Sequence, residues 1–378
     1  MLERSDTVTE ILHDRPAADV NEFKPLYKFY RRLGWAKFNH HCQFPQSGKE
    51  YATLLDPYNV SAYESLHAND LNVTVIKSIK DHASSCCEFI AKSPSSINSA
   101  NQDQIKTEIV EITVNSVPGL RIYPGIYSPN VQRQLILNCI EEYLPPSTFH
   151  LTNLHPAYDL PDPFNLFGES PQTLILPSKN PSTAASTPTT LAATQSKKLR
   201  WVTLGGQYNW TTKEYPTFTP RAIGFPDFPD DLVALLAGSS ITCQDKGINP
   251  EASIINFYSD GDILSPHQDV AERSSADLVS ISIGCEAVFF VGLSKDSLPL
   301  QLRVRSGDVI VMGGQSRFAW HGVGRVWHNT APSYLTDFDF LNGFKDDDNL
   351  KENVKAGRQH YGSWISSKRI NFNARQML

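Results

Sequence analysis

None of the six cysteines, Cys42, Cys86, Cys87, Cys139, Cys243 and Cys285, falls into a C-x-x-C pair, which removes zinc-knuckle and thioredoxin-like readings. Their scatter suits reduced thiols. Long apolar runs are missing too: stretches such as 287–291 are only strand-sized, so no membrane span is expected. The opening MLERSDTVTEILHDRP mixes acids with bases and has no apolar h-region. No secretory signal is expected, the acids disfavour a mitochondrial presequence, and cytoplasm or nucleus is the expected location. A basic excess is absent as well. The 34 Lys and Arg against 40 Asp and Glu leave a net charge of −6, which argues against non-specific coating of duplex nucleic acid but not against a local basic groove.

What is present is an ordinary globular chain of 378 residues, 40% hydrophobic, with length for a sizeable core. Residues 1–115 are expected to form a partly helical N-terminal extension, with a short helix over 25–32 and a polar loop over 93–104. Order increases from Val117. GLRIYPGIYSP predicts a strand, then a helix with Ser128 as its N-cap and Pro129 at its first position, stopping before Pro145-Pro146. Residues 177–197 are low-complexity Ser/Thr/Ala/Pro, and their small apolar content predicts a disordered insert. A helix is expected over 230–237. Beyond it come short alternating strands with Gly/Asp turns, at 254–258, 279–283, 300–304 and 309–312, the last two segments bracketing Ser306-Gly307-Asp308. The alternation of Leu300, Leu302 and Val304 with Gln301, Arg303 and Arg305 predicts a half-buried strand. The fold class expected is mainly β with flanking helices: a jelly-roll domain over 116–378, with its core at 249–378.

Within that core, SPHQDV puts His267 and Asp269 two apart, on one face of a strand, where both can meet one ion. A jelly roll can bring a second histidine from a distant strand, and His321 in RFAWHGV is the candidate. Two histidines and a carboxylate leave open coordination positions, the iron-oxygenase pattern. A lone His-x-Asp also occurs by chance on surface strands, so neighbouring signals matter. In RINFNAR, Arg369, Asn371, Asn373 and Arg375 alternate and share a face. Arginines pointing into a barrel would need an anion, whereas an exposed edge strand would need none. Asn256 and Tyr258 likewise share a face, either of a polar cavity wall or of the surface.

The segments NFY at 256–258, HQD at 267–269, HGV at 321–323 and RINFNAR at 369–375, in this order, resemble the AlkB family of Fe(II)/2-oxoglutarate nucleic-acid dioxygenases. The spacing from His321 to Arg369, with LRWVTLGGQYNW at 199–210, is similar to the eukaryotic AlkB homologue 1 branch. The resemblance runs from about Val117 to the C-terminus. It implies a double-stranded β-helix and His267, Asp269 and His321 as the Fe(II) ligands. Arg369 would hold the far carboxylate of 2-oxoglutarate, with Tyr258 and Asn371 as hydrogen-bond partners. Asn256 and Arg375 would lie near its keto-acid end, and Tyr208 and Trp210 in a lid over the nucleotide. The implied reaction uses O2 to demethylate bases of DNA or tRNA, releasing formaldehyde, succinate and CO2. Two positions depart from the pattern. Asn373 stands where the family has Thr, and Ala271, followed by Glu272, stands where bacterial members carry an Asp that reads the base.

Basic residues that would serve a nucleic-acid partner are Arg200, Lys213, Arg303, Arg305, Lys368 and Arg375. Tyr208, Trp210 and Tyr215 can stack on a flipped base, or simply pack a loop. Two other readings keep the same residues: an oxygenase acting on a protein side chain, and a non-catalytic binding protein with a retained fold. A monomer is expected.

Overall fold

The structure is a computed structural model that describes residues 21–45, 53–61, 73–79, 82–93, 108–145, 151–161, 166–167, 169–215, 228–236, 248–336 and 360–377. The alternating segments pair into two large sheets. One has five strands in the order β1 (Leu54–Leu55), β14 (Leu300–Val304), β13 (Ala287–Gly292), β16 (Trp320–Val326) and β11 (Leu264–His267). The other has nine: β2 (Val73–Ile79), β3 (Glu108–Val114), β4 (Leu120–Tyr123), β15 (Val309–Met312), β12 (Leu278–Gly284), β17 (Lys368–Arg375), β10 (Ala252–Ser259), β9 (Trp201–Gly205) and β5 (Leu151–Thr152). A small third sheet joins β6 (Tyr158–Asp159), β7 (Leu174–Pro177) and β8 (Thr189–Thr190). Leu278, Ile310 and Met312 of the larger sheet share one core with Phe289, Leu302 and Val323 of the smaller. A second core lies between the larger sheet and the helices Pro129–Asn138, Asp230–Leu236 and Tyr361–Ile365. This is the expected mainly-β jelly roll with flanking helices. No helix among the described residues is long and apolar enough to cross a membrane.

Local signals act where they were expected. Ser128 caps the helix Pro129–Asn138, its Oγ accepting from Val131 N at 3.4 Å, with Pro129 in the first turn. The helix expected over 25–32 is α1 (Phe23–Arg32), followed by α2 (Trp35–Gln43). Residues 1–20, and the polar loop from 94 onward, lie outside the described residues.

Two expectations need correction. β14 is not half-buried: all five of its residues are buried, Gln301 and Arg303 included. Its outer face is covered by the N-terminal extension. Tyr30 of α1 donates to Gln301 Oε1 at 2.8 Å, and Arg303 is enclosed by Glu286, Asp56 and Asn39, with its guanidinium over the Trp35 ring. Burying a guanidinium is tolerable because carboxylates answer it. The same layer explains the unbroken apolar run of β13, since Phe290 packs against Phe23, Tyr27 and Tyr30 while Phe289 faces inward. The boundary expected after residue 115 falls between β3 and β4, which pair as neighbours.

The second correction concerns 177–197, expected as a disordered insert. It is ordered: it supplies β8, a helical turn at Leu191–Ala193 and a wider turn at Thr194–Lys198. Composition misled because much of its stabilisation is polar. Thr190 Oγ1 accepts from Ala193 N at 3.2 Å, and the Trp364 indole donates to Gln195 O at 3.0 Å. Gln195 in turn donates to the Leu166 carbonyl, and Leu191 plugs the helical-side core at 2% exposure. Truncating a core leucine leaves a cavity. Leu191→Ala should therefore lower the unfolding free energy by about 2–4 kcal/mol in urea denaturation. A loss within about 0.5 kcal/mol, the range of surface substitutions, would return this stretch to a dispensable loop.

A candidate metal centre

β11 and β16 are adjacent and antiparallel, and His267 pairs directly with His321. Cross-strand partners project from the same face, so a ladder register brings the two distant histidines together. Their rings are 4.3 Å apart. Asp269, just past the end of β11, puts Oδ1 3.7 Å from His267 Nε2 and Oδ2 3.9 Å from His321 Nε2. Each gap is less than twice a metal–nitrogen bond of about 2.1 Å, so one ion can bridge either pair. Among the described residues these three form the group whose ligand atoms could hold a metal, all within 4.8 Å of one another.

The protonation states suit a cation. His267 Nδ1 lies 3.1 Å from Ser265 O, and His321 Nδ1 3.0 Å from Ala319 O. A carbonyl only accepts, so Nδ1 carries the proton and each Nε2 lone pair is left for the site. Burial pushes the His321 imidazole down to about 4, against the pull of Asp269. Burial opposes charge on Asp269, yet Arg375, then the two histidines and Arg317, hold its pKa down to about 2.

Arg375 does this directly, Nη2 lying 3.2 Å from Asp269 Oδ2. Its Nη1 donates to Glu272 Oε1 at 2.9 Å, and Glu272 Oε2 accepts from Arg317 Nη2 at 3.1 Å. Arg317 also donates to the Asp269 carbonyl at 3.0 Å and the Ala276 carbonyl at 2.9 Å. Glu272 is thus a buried link between two guanidiniums. The signal for it in the sequence was present, a glutamate three residues past Asp269, but nothing local ties it to Arg317.

β17 is a central strand, between β10 and β12, which removes the edge-strand reading of RINFNAR. Arg369 pairs with Tyr258, Asn371 with Asn256 on one side and Ser282 on the other, and Asn373 with Ile254 and Ser280. Arg369 is 2% exposed, its guanidinium 5.3 Å from the Tyr258 ring centroid, and its Nη2 donates to Ser282 Oγ at 2.9 Å. Its Nε and Nη1 have no hydrogen-bond partner among the described residues. An interior guanidinium with two unanswered N–H groups is costly unless an anion completes it, so this position fits a carboxylate ligand. Asn371 spends its amide hydrogens on Ser280 Oγ at 2.8 Å and the Ile281 carbonyl at 3.0 Å, which ties it to β12. Ser280 and Ser282, read as mere alternation in the sequence, are the other half of this polar stripe.

A cavity of about 530 Å³ opens from the metal centre and is lined by His267, Asp269, Asn256, Asn373 and Arg375, with Tyr208, Trp210, Lys213 and Trp320 toward its other walls. Tyr208 contacts Trp210 at 4.9 Å and Tyr215 at 5.3 Å. Tyr215 is fully buried and Trp210 is 48% exposed, so the cluster runs from the core to the surface. Trp320, beside His321, was missed in the sequence. Of the basic residues expected to meet a nucleic acid, four are internal to the fold. Arg303 and Arg305 answer Asp56, Lys368 donates to Ser196 O and Ser259 Oγ, and Arg375 holds Asp269. Arg200 and Lys213 are exposed, Arg200 paired with Asp262.

Removing the carboxylate should remove the ion. Asp269→Ala is expected to weaken Mn(II) binding at least a hundredfold by titration, while His328→Ala binds as wild type, because His328 is exposed and paired with Asp260 at 3.1 Å. Equal losses in both variants would place the metal elsewhere.

Residues 172–375 match the sequence model of the 2OG-Fe(II) oxygenase superfamily. The chain is 34% identical over 291 residues to the "N6-methyladenosine RNA demethylase ALKB1" of Pyricularia oryzae, covering 69% of this chain and 75% of that one. It is 35% identical over 271 residues to the "tRNA demethylase abh1" of Schizosaccharomyces pombe, covering 69% and 79%. It is also 35% identical over 251 residues to the "N6-methyladenosine RNA demethylase ALKBH" of Cryphonectria parasitica, covering 59% of this chain and 99% of the relative. With the His/Asp/His cluster, the buried guanidinium and a match over more than half of its length, the chain belongs to the 2OG-Fe(II) oxygenase superfamily and, within it, to the AlkB family.

Proposed function

We propose that this chain is an Fe(II)- and 2-oxoglutarate-dependent dioxygenase that removes methyl groups from bases of RNA or DNA. The observation that carries the reading is a cavity that His267 and Asp269 of the His267/Asp269/His321 cluster line together with Tyr208, Trp210 and Trp320. Iron, 2-oxoglutarate and O2 are the cofactors of the superfamily. When bound, they supply the oxidation of a methyl C–H bond, with 2-oxoglutarate leaving as succinate and CO2. The hydroxymethyl group so formed on a base nitrogen is lost as formaldehyde.

The rest of the work falls to the protein. Arg369, deep in the sheet, is placed to grip the far carboxylate of 2-oxoglutarate with a planar fork, and the Tyr258 ring lies against that guanidinium. Arg375 keeps Asp269 ionised, and the Glu272–Arg317 pair keeps Arg375 in place. Asn256 and Asn373 line the wall between these ends. Tyr208 and Trp210 offer aromatic faces on which an extruded base can stack. The names of the relatives favour RNA, tRNA among them, as the nucleic acid. Glu272, turned toward two arginines, is not available to read a base, so base choice rests on other parts of the cavity wall.

The direct test is formaldehyde and succinate release from methylated tRNA and DNA oligonucleotides, with a methylated peptide as control. Turnover of the peptide alone would replace the nucleic acid as substrate. Arg369→Ala should raise the apparent 2-oxoglutarate constant about ten- to a hundredfold, the value of charge-assisted hydrogen bonds worth roughly 1.5–3 kcal/mol. An unchanged constant would put the carboxylate anchor at another residue. Trp210→Ala should raise KM for the oligonucleotide about tenfold with the 2-oxoglutarate constant unmoved, since base–aromatic stacking is worth roughly 1–3 kcal/mol. An unmoved KM would leave Trp210 as loop packing.

A further inference from the structure

The two strands that carry the histidines do not pair evenly. Leu264 faces Val323 and His267 faces His321, so residues 265 and 266 of β11 stand opposite Gly322 alone. This is a bulge, and Pro266 within it has no N–H to give the ladder. A strand slipping by one residue turns its side chains to the other face. His267 therefore meets His321 only while this offset is held.

A side chain from the N-terminal extension reaches the bulge. Tyr27 of α1 donates its hydroxyl to the Leu264 carbonyl at 2.5 Å. Its ring packs edge-on against Phe290 of β13, 5.1 Å between centroids at 81°. A Cβ on Gly322 would run into that hydroxyl and into the Leu264 carbonyl. The hydroxyl thus fills the space left by the glycine that follows His321. Burial, with the neighbouring Tyr258, raises the phenol pKa and keeps it a donor.

We infer that Tyr27 is a positioning residue for the metal centre: its hydroxyl pins the bulge of β11 and sets where His267 stands relative to His321. The inference rests on the His267/Asp269/His321 reading and extends it, because it makes the N-terminal helix part of what builds the site. It also accounts for the glycine at 322, which leaves room for the hydroxyl.

The test is a Mn(II) titration of the full chain, followed by the electron paramagnetic resonance of the free ion, for wild type, Tyr27→Phe and Tyr30→Phe. Tyr27→Phe keeps the ring on Phe290 and removes only the donor. Tyr30 lies on the same helix but donates to Gln301 of β14, two strands away from β16. Tyr27→Phe should weaken Mn(II) about tenfold, the lower end of what losing a supporting hydrogen bond around a metal site costs. Tyr30→Phe should leave the constant unchanged even if it lowers Tm by as much or more. Wild-type affinity in Tyr27→Phe would overturn the inference, as would an equal loss in Tyr30→Phe, which would reduce the effect to docking of the helix. A wild-type chain that binds no Mn(II) would instead overturn the metal centre, and this inference with it.

Discussion

Asp269 stands between two imidazoles in a protein interior, where a carboxylate stays ionised only if a cation answers it. Arg375 is that cation, and it can serve because it is itself balanced by Glu272, which is shared with Arg317. Four charges from β17, the segment after β11 and the turn before β16 thus settle around one point. Breaking either end link, Asp269–Arg375 or Glu272–Arg317, leaves a buried charge without its ion-pair partner, which is why the network fixes segments far apart in sequence relative to each other. The metal-ligand geometry is downstream of this balance: the charged carboxylate, the proton on each Nδ1 and the register of β11 on β16 all have to hold together.

The other end of the polar stripe obeys the same rule with the opposite outcome. Arg369 is as deeply buried as Arg375, but beside it are a ring, a serine hydroxyl and no carboxylate within hydrogen-bond reach among the described residues. Both terminal nitrogens of Arg375 meet carboxylates, with only its Nε unanswered among the described residues, whereas Arg369 meets no carboxylate and leaves Nε and Nη1 open. Both come from one strand, six residues apart, and it is the neighbouring elements that assign them different work.

The N-terminal layer is more than a cover. By enclosing the outer face of β13 and β14 it turns one sheet of a sandwich into a middle layer, and the charged residues there are neutralised by Asp56 and Glu286 rather than by water. Through Tyr27 the same layer touches the strand that bears His267.

Period-two alternation is a local property, so the polar face of RINFNAR, the His-x-Asp pair and the cap at Ser128 were legible in the sequence before any pairing was known. The ordered state of 177–197 was not, because its hydrogen bonds run to Leu166, Ser259, Trp364 and Lys368, none of which its composition reveals. The basic residues Arg303, Arg305 and Lys368 looked like surface charge for the same reason: a charge looks solvated until its partner, hundreds of residues away for Asp56, is placed beside it. The sequence by itself determined which side chains share a strand face and which chemistry they offer. The tertiary structure alone decided which of those charges are answered, since neutralisation depends on contacts between strands and helices that no local spacing encodes.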